Sequence, residues 1–142
     1  MDVFIGKTWV YHHELSDKSE HTFLDAAGVP KETQTKIIEA IPIMIFSKDG
    51  DELTIRIESK DHVLIRENKA KLGIESDTVT PDGRKAKTLM KMEGGVLKAE
   101  VKVEGLDFVV STIHEIKDDD LHVTFDIPAL ALKTTTVFKN EK

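Results

Sequence analysis

The chain has 142 residues, a formal net charge of −6, 32% charged and 39% hydrophobic residues, and no cysteine. That balance belongs to a folded globular protein with a core of useful size and excludes a disordered chain, so residues 1–142 read as one domain. The acidic balance, with no Lys/Arg run, argues against a nucleic-acid partner, and the lack of cysteine removes disulfides and thiolate chemistry.

Met1-Asp2-Val3-Phe4-Ile5-Gly6 lacks the charged start and long apolar run of a signal peptide. No stretch approaches the ~20 apolar residues needed to span a membrane, so a cytoplasmic location is expected. Phe4 to His12 read as a first strand that carries the only tryptophan and tyrosine, Trp9 and Tyr11. A helical lid follows, over about residues 16–41. Ser16-Asp17-Lys18-Ser19-Glu20 offers an N-cap and an acid in the first turn, Phe23, Leu24 and Ala27 supply an apolar side, and Gly28 is placed to end the helix. Pro30 suits the start of a second short helix, on which Ile37, Ile38 and Ile41 share a face before Pro42 stops it. Acids interleave with Lys31 and Lys36, which disfavours a DNA-binding reading of this helix pair.

After the helices come strand and turn only. Leu121-His122-Val123-Thr124-Phe125-Asp126-Ile127 alternates strictly, with apolar residues at the odd positions, so one face of that strand is buried and the other is wet. Similar segments are expected at Pro42–Ser47, Glu52–Ser59, His62–Asn68, Ile74–Val79, Lys85–Met92, Val96–Val103, Phe108–Ile116 and Lys133–Lys139. With the first strand this makes ten. Asp49-Gly50, Pro81-Asp82-Gly83, Gly94-Gly95, Gly105 and Asp118-Asp119-Asp120 mark turns between them. Many successive strands with no covering helices must bury their apolar faces by closing on themselves. The fold class is therefore all-β, a ten-stranded antiparallel up-and-down barrel with a two-helix lid near the N-terminus.

Several combinations of these residues resemble the intracellular lipid-binding proteins, the family of fatty-acid-binding and cellular retinoid-binding proteins. Ala26-Ala27-Gly28-Val29-Pro30 with Pro42 beyond it looks like that family's helix–turn–helix. Lys71-Leu72-Gly73 resembles its K-L-G motif, and Asp82-Gly83-Arg84-Lys85 followed by Lys87 its D-x-R-K-x-K turn. Phe4-Ile5-Gly6-Lys7-Thr8-Trp9 is similar to its F-x-G-x-W opening, with one extra residue. The resemblance implies a barrel around a lipid cavity and transport of a long-chain fatty acid or related hydrophobic ligand. It also singles out a departure. Family members that bind fatty acids hold the carboxylate with an R-x-Y pair in the last strand, where this chain has Thr136 and Phe138. A second arginine, two strands earlier, is matched by His114. The retinol-binding branch, with neutral groups at those positions, is the nearer likeness.

Alternation puts Phe108, Val110, Thr112, His114 and Ile116 on one face, with His114 its single ionisable group. The ligand-contacting set is expected to comprise Thr112, His114, Ile116, Phe125, Thr136 and Phe138 on the wall, with Phe23 and Ile38 from the lid. Glu58, Glu115 and Asp126 fall on the opposite faces, so no acid stands beside His114 for acid–base catalysis. No phosphate loop or nucleophile elbow is present. Adjacent His12 and His13 would point to opposite faces of a strand, and the aspartate run lacks the spacing of a calcium loop. The expectation is a non-enzymatic monomeric carrier without cofactor or metal, making transient membrane contact at the apolar hairpin Ile127-Pro128-Ala129-Leu130-Ala131-Leu132. Topology places that hairpin at the helical end, and the plainer alternative to membrane contact there is that Leu130 or Leu132 tucks against the lid. Two rival readings are a lipid-modifying barrel enzyme acting through His114 and a signalling partner that delivers lipid to a receptor.

Overall fold

The protein is described by a computed structural model over residues 4–12, 25–26, 28, 30–39, 41–61, 64–80 and 83–141. Ten strands are present: β1 (Thr8–Tyr11), β2 (Ile43–Asp49), β3 (Glu52–Glu58), β4 (Leu64–Lys71), β5 (Ser76–Val79), β6 (Lys85–Glu93), β7 (Val96–Val103), β8 (Val109–Lys117), β9 (Asp120–Ile127) and β10 (Leu132–Glu141). Helix α1 spans Lys31–Glu39, and residues 25 and 26 are also helical. The rest of the expected first helix, including Phe23, lies outside the described residues.

All ten strands form one antiparallel sheet in the order β4-β3-β2-β1-β10-β9-β8-β7-β6-β5. Each strand pairs with its neighbour in sequence except that β4 and β5 share no ladder, and β1 pairs in addition with β10, which carries the sheet around. The two free edges nevertheless meet. The Asn68 carboxamide donates to the carbonyl of Val79 at 3.0 Å and accepts from its N–H at 3.1 Å, and Arg66 Nη1 donates to the same carbonyl at 3.3 Å. One side-chain amide thus stands in for a missing rung of backbone pairing and satisfies both polar groups of an edge residue. The result is the nearly closed barrel that the alternation predicts.

The core lies at the end of the barrel away from the helices. Phe4, Trp9, Phe46, Leu53, Leu97 and Leu121 are fully or almost fully buried there. The expected first strand is shorter than Phe4–His12 because Gly6 takes φ +76° and turns the chain, leaving Ile5 in an isolated bridge to Phe46. That turn returns Phe4 beneath the barrel, where its carbonyl accepts the indole N–H of Trp9 at 3.2 Å. A buried indole donor is thereby satisfied without opening the floor to water.

At the other end, Pro30 offers its carbonyl to the N–H of Gln34 at 3.0 Å, so it caps α1 from just outside the helix. Asp25 holds the two helical pieces together, accepting from buried Gln34 Nε2 at 2.6 Å and from Lys31 Nζ at 3.1 Å. After α1 the chain turns through Ile41 at φ +50°, an uncommon setting for a β-branched residue. Pro42 follows, and its carbonyl accepts from Tyr11 N–H, already joining β2 to β1. Ala26 packs against a second apolar cluster of Val110 and Ile127 with Phe108, Phe125 and Leu132, which puts the β9–β10 hairpin at the helical end as topology requires. Leu132 tucks in, whereas Leu130 is 48% exposed on a single 3-10 turn, Pro128–Leu130. The β8–β9 connection turns on Asp118 and Asp119, both at positive φ, a geometry that aspartate tolerates better than most side chains.

Replacing Asn68 with Ala is expected to strip the Val79 amide of its acceptor and leave the β4–β5 seam without its paired bonds. Amide hydrogen exchange should accelerate at Val79 while the β8–β9 ladder stays protected. Unchanged exchange at Val79 would show that the seam is held by other means.

Candidate functional site

The inward faces of β8, β9 and β10 form three cross-strand rows. Thr112, Phe125 and Thr134 make one, His114, Val123 and Thr136 the next, and Ile116, Leu121 and Phe138 the third. All six wall residues expected from the sequence therefore lie on one continuous patch. Thr112, His114, Thr136 and Phe138 are buried, while Ile116 and Phe125 are partly so. Of the two lid residues, Phe23 is outside the described residues, and Ile38 lies in α1 with a side chain that is likewise not described.

The wall is not the whole interior. Phe46 of β2 reaches the β8 wall and meets His114 edge-on, with ring centroids 5.8 Å apart. Thr136 Oγ1 leans back onto its own sheet, donating to the carbonyl of Val123 at a long 3.4 Å. On the far side Thr78 and Thr88 share a buried hydroxyl pair at 2.8 Å. The polar groups facing inward on these strands are thus mostly threonine hydroxyls, which satisfy themselves on neighbours and need no charge.

His114 is the exception on this wall. Only 5% of it is exposed, and its Nδ1 is buried with no hydrogen-bond partner. Burial pushes its pKa down from 6.5 to about 4; a contact with the Leu97 backbone pulls weakly upward, and the nearby Arg66 cation lowers it further. The imidazole is therefore neutral at physiological pH, with one nitrogen able to donate and the other to accept. Among the described residues no inward carboxylate accompanies it. Glu58 is itself buried, which its outward position did not announce. It stays on the outer face at a β-bulge, paired with Arg56, which also holds Glu67 at 3.0 Å. No group of acids and histidines able to hold a metal ion occurs among the described residues.

Period-two patterning does not reveal one further cation. Arg66 projects from β4 on the same face as Ala70, which is 2% exposed in the core, and its backbone pairs with Ile57. Desolvation pulls its pKa down from 12.5 to about 10. Alternation is silent here because Arg66, Asn68, Glu67 and Lys69 make both faces of β4 look polar. Only the register with β3, where apolar Leu53, Ile55 and Ile57 face inward, identifies the inner side.

This geometry has clear relatives. The chain is 30% identical over 122 residues to the adipocyte fatty acid-binding protein of Pygoscelis papua, covering 86% of each sequence. It is 34% identical over 128 residues to the bilirubin-inducible fluorescent protein UnaG of Anguilla japonica, covering 87% of each. The crystal structure of Echinococcus granulosus fatty-acid-binding protein 1 superposes with a TM-score of 0.84 at 23% identity, over 100% of both chains. No protein-family model matches the sequence. A nearly closed ten-stranded barrel with a polar-dotted apolar interior defines a class of proteins that enclose small hydrophobic molecules. Within that class, the chain belongs to the family of the fatty-acid-binding, intracellular lipid-binding proteins.

The histidine gives a pH signature. Between about pH 6.5 and pH 4 the unfolded chain binds a proton at His114 that the folded protein does not. Stability should therefore fall as the pH drops through that window, by up to about 3 kcal/mol from this residue, and level off below it. Urea unfolding of the wild-type protein and of His114→Gln across that range should show a shallower slope in the variant. Equal slopes would mean that His114 titrates freely in the folded state.

Proposed function

We propose that this protein is a cytoplasmic, monomeric, non-enzymatic carrier that holds a long-chain fatty acid or similar hydrophobic molecule inside the barrel. The observation that carries the reading is the largely apolar wall of β8, β9 and β10 that holds one neutral imidazole with an unpartnered Nδ1, in a chain similar to a fatty acid-binding protein and to a bilirubin-inducible fluorescent protein. Burying a methylene group is worth about 0.8 kcal/mol, so a sixteen-carbon tail offers roughly 12 kcal/mol before association and ordering costs are subtracted. The tail thus supplies affinity and a few polar wall groups choose the head.

Thr112, Ile116, Phe125 and Phe138 would line the tail, with Phe23 and Ile38 closing over it from the lid. His114 and Thr136 would meet the polar head directly or through water. Catalysis is disfavoured because, among the described residues, no acid or second base stands near His114 to exchange protons with it. No helix among the described residues is long and apolar enough to cross a membrane, which is compatible with a carrier that visits bilayers without residing in them. The exposed Leu130 at the helical end is the natural point of such a visit.

Delipidated protein should bind one equivalent of an uncharged fluorescent lipid probe, with natural fatty acids displacing it. A folded protein that binds no member of a panel of fatty acids, retinoids and sterols would end the carrier reading. Replacing His114 with Ala should reorder preference among head groups while sparing the contribution of the tail. An equal loss for ligands with and without a polar head would indicate damaged packing instead.

The tip makes a separate, kinetic prediction. Leu130→Ser should slow transfer of a fluorescent fatty acid to anionic vesicles without changing equilibrium affinity or melting temperature. Transfer that is indifferent to vesicle concentration in the wild-type protein would show that the ligand leaves by diffusion alone.

A further inference from the structure

Resting on the carrier reading above, we propose that Arg66 receives the anionic head of a carboxylate ligand, so that the selecting cation sits on β4 beside the seam instead of on β8 and β10. The structure shows how this protein treats an arginine that serves only its architecture. Arg56, one residue from Ile57 on the outer face, is matched by two acids, Glu58 and Glu67. Arg66 has none. Among the described residues its hydrogen-bond partner is the carbonyl of Val79, at 3.3 Å, and no carboxylate pairs with it.

A guanidinium carries five N–H donors in a planar fork, so one long bond to a carbonyl leaves most of that capacity unused. The bond is also redundant for closing the seam, since Asn68 already engages both the carbonyl and the N–H of Val79 at shorter distances. Arg66 is only partly buried, so the residue keeps some accessible surface. The protein packed around it nevertheless removes enough water to destabilise the charge, as its lowered pKa records. An uncompensated cation in such a place is costly, and an arriving anion relieves that cost.

His114 supplies the second half of the site. Register puts Arg66 opposite inward Ile57, and His114 opposite buried Leu97 and Val123, so both stand on inner faces, and the His114 Nδ1 lacks a partner. In the tautomer that carries its proton on Nδ1, the neutral imidazole donates a second hydrogen bond to a carboxylate held by the Arg66 fork. Arginine suits this task because two parallel N–H bonds match the two carboxylate oxygens. The chemical class selected is a long-chain carboxylic acid over its neutral ester or alcohol.

The test compares palmitate with methyl palmitate, each displacing an uncharged fluorescent probe from delipidated protein. Wild-type protein should prefer the acid. Arg66→Gln should weaken palmitate by roughly tenfold to a hundredfold, the usual range for losing a charge-assisted bond, and leave methyl palmitate unchanged. Arg66→Lys should restore part of the preference. Palmitate affinity unaltered in Arg66→Gln, or acid and ester weakened alike, would overturn the assignment while leaving the carrier reading intact. Failure of wild-type protein to bind either ligand would remove the carrier reading itself. Arg66→Met guards against a folding artefact: without the uncompensated charge, the unliganded variant should melt at or above the wild-type temperature. If both Arg66→Met and Arg66→Gln fail to fold, Arg66 is a structural residue and the proposal is wrong.

Discussion

A single sheet with no second layer has one way to keep its apolar face from water, which is to curl until that face meets itself. Everything else in this protein follows from that requirement. The β1–β10 ladder carries the sheet around, and the last gap falls between β4 and β5, where no ladder forms. There the protein uses side chains in place of a backbone rung, and Asn68 is well chosen because its amide presents one donor and one acceptor to a strand edge. Closure also dictates polarity. Residues facing in must be apolar or self-satisfied, as Thr78 with Thr88 illustrates, and charges are sent outward to pair in water.

Against that rule the two inward exceptions stand out. His114 is neutral because burial and a neighbouring cation both oppose its protonation, and Arg66 remains charged because no protein environment of this kind can neutralise a guanidinium. Neither group is used up by the architecture. Together they give an otherwise greasy interior a polarity with direction, from neutral imidazole toward cation, and with no competing acid among the described residues. A ligand with an apolar tail and an acidic head is complementary to that arrangement in both respects.

The two ends of the barrel divide the labour. The floor is tightly filled by Phe4, Trp9, Phe46 and Leu121, with the Trp9 indole bonded to Phe4. At the helical end Ala26 rests on the Val110–Ile127 cluster, and Asp25 links the two helical pieces through Gln34 and Lys31. Leu130 extends that apolar surface into solvent on the same end.

How much of this is legible in the sequence depends on the strand. In β8 and β9 strict alternation is enough to assign the inward face, and Thr112, His114, Ile116 and Phe125 fall where it predicts. Thr136 and Phe138 follow from family resemblance, and their strand also turns them inward. The all-β class and the ten strands follow from turn signals and from period-two patterning. By contrast, β4 has polar residues on both faces, so period alone does not say that Arg66 points inward or that Asn68 reaches the edge of β5. Alternation assigns Glu58 its face correctly, yet its burial depends on a bulge and on Arg56. The sequence by itself determined which residues share a face, because that is a local property of an extended backbone. The tertiary structure alone decided which faces meet, since closing the barrel brings Phe46 to His114 and Arg66 to Val79 from strands far apart in the chain.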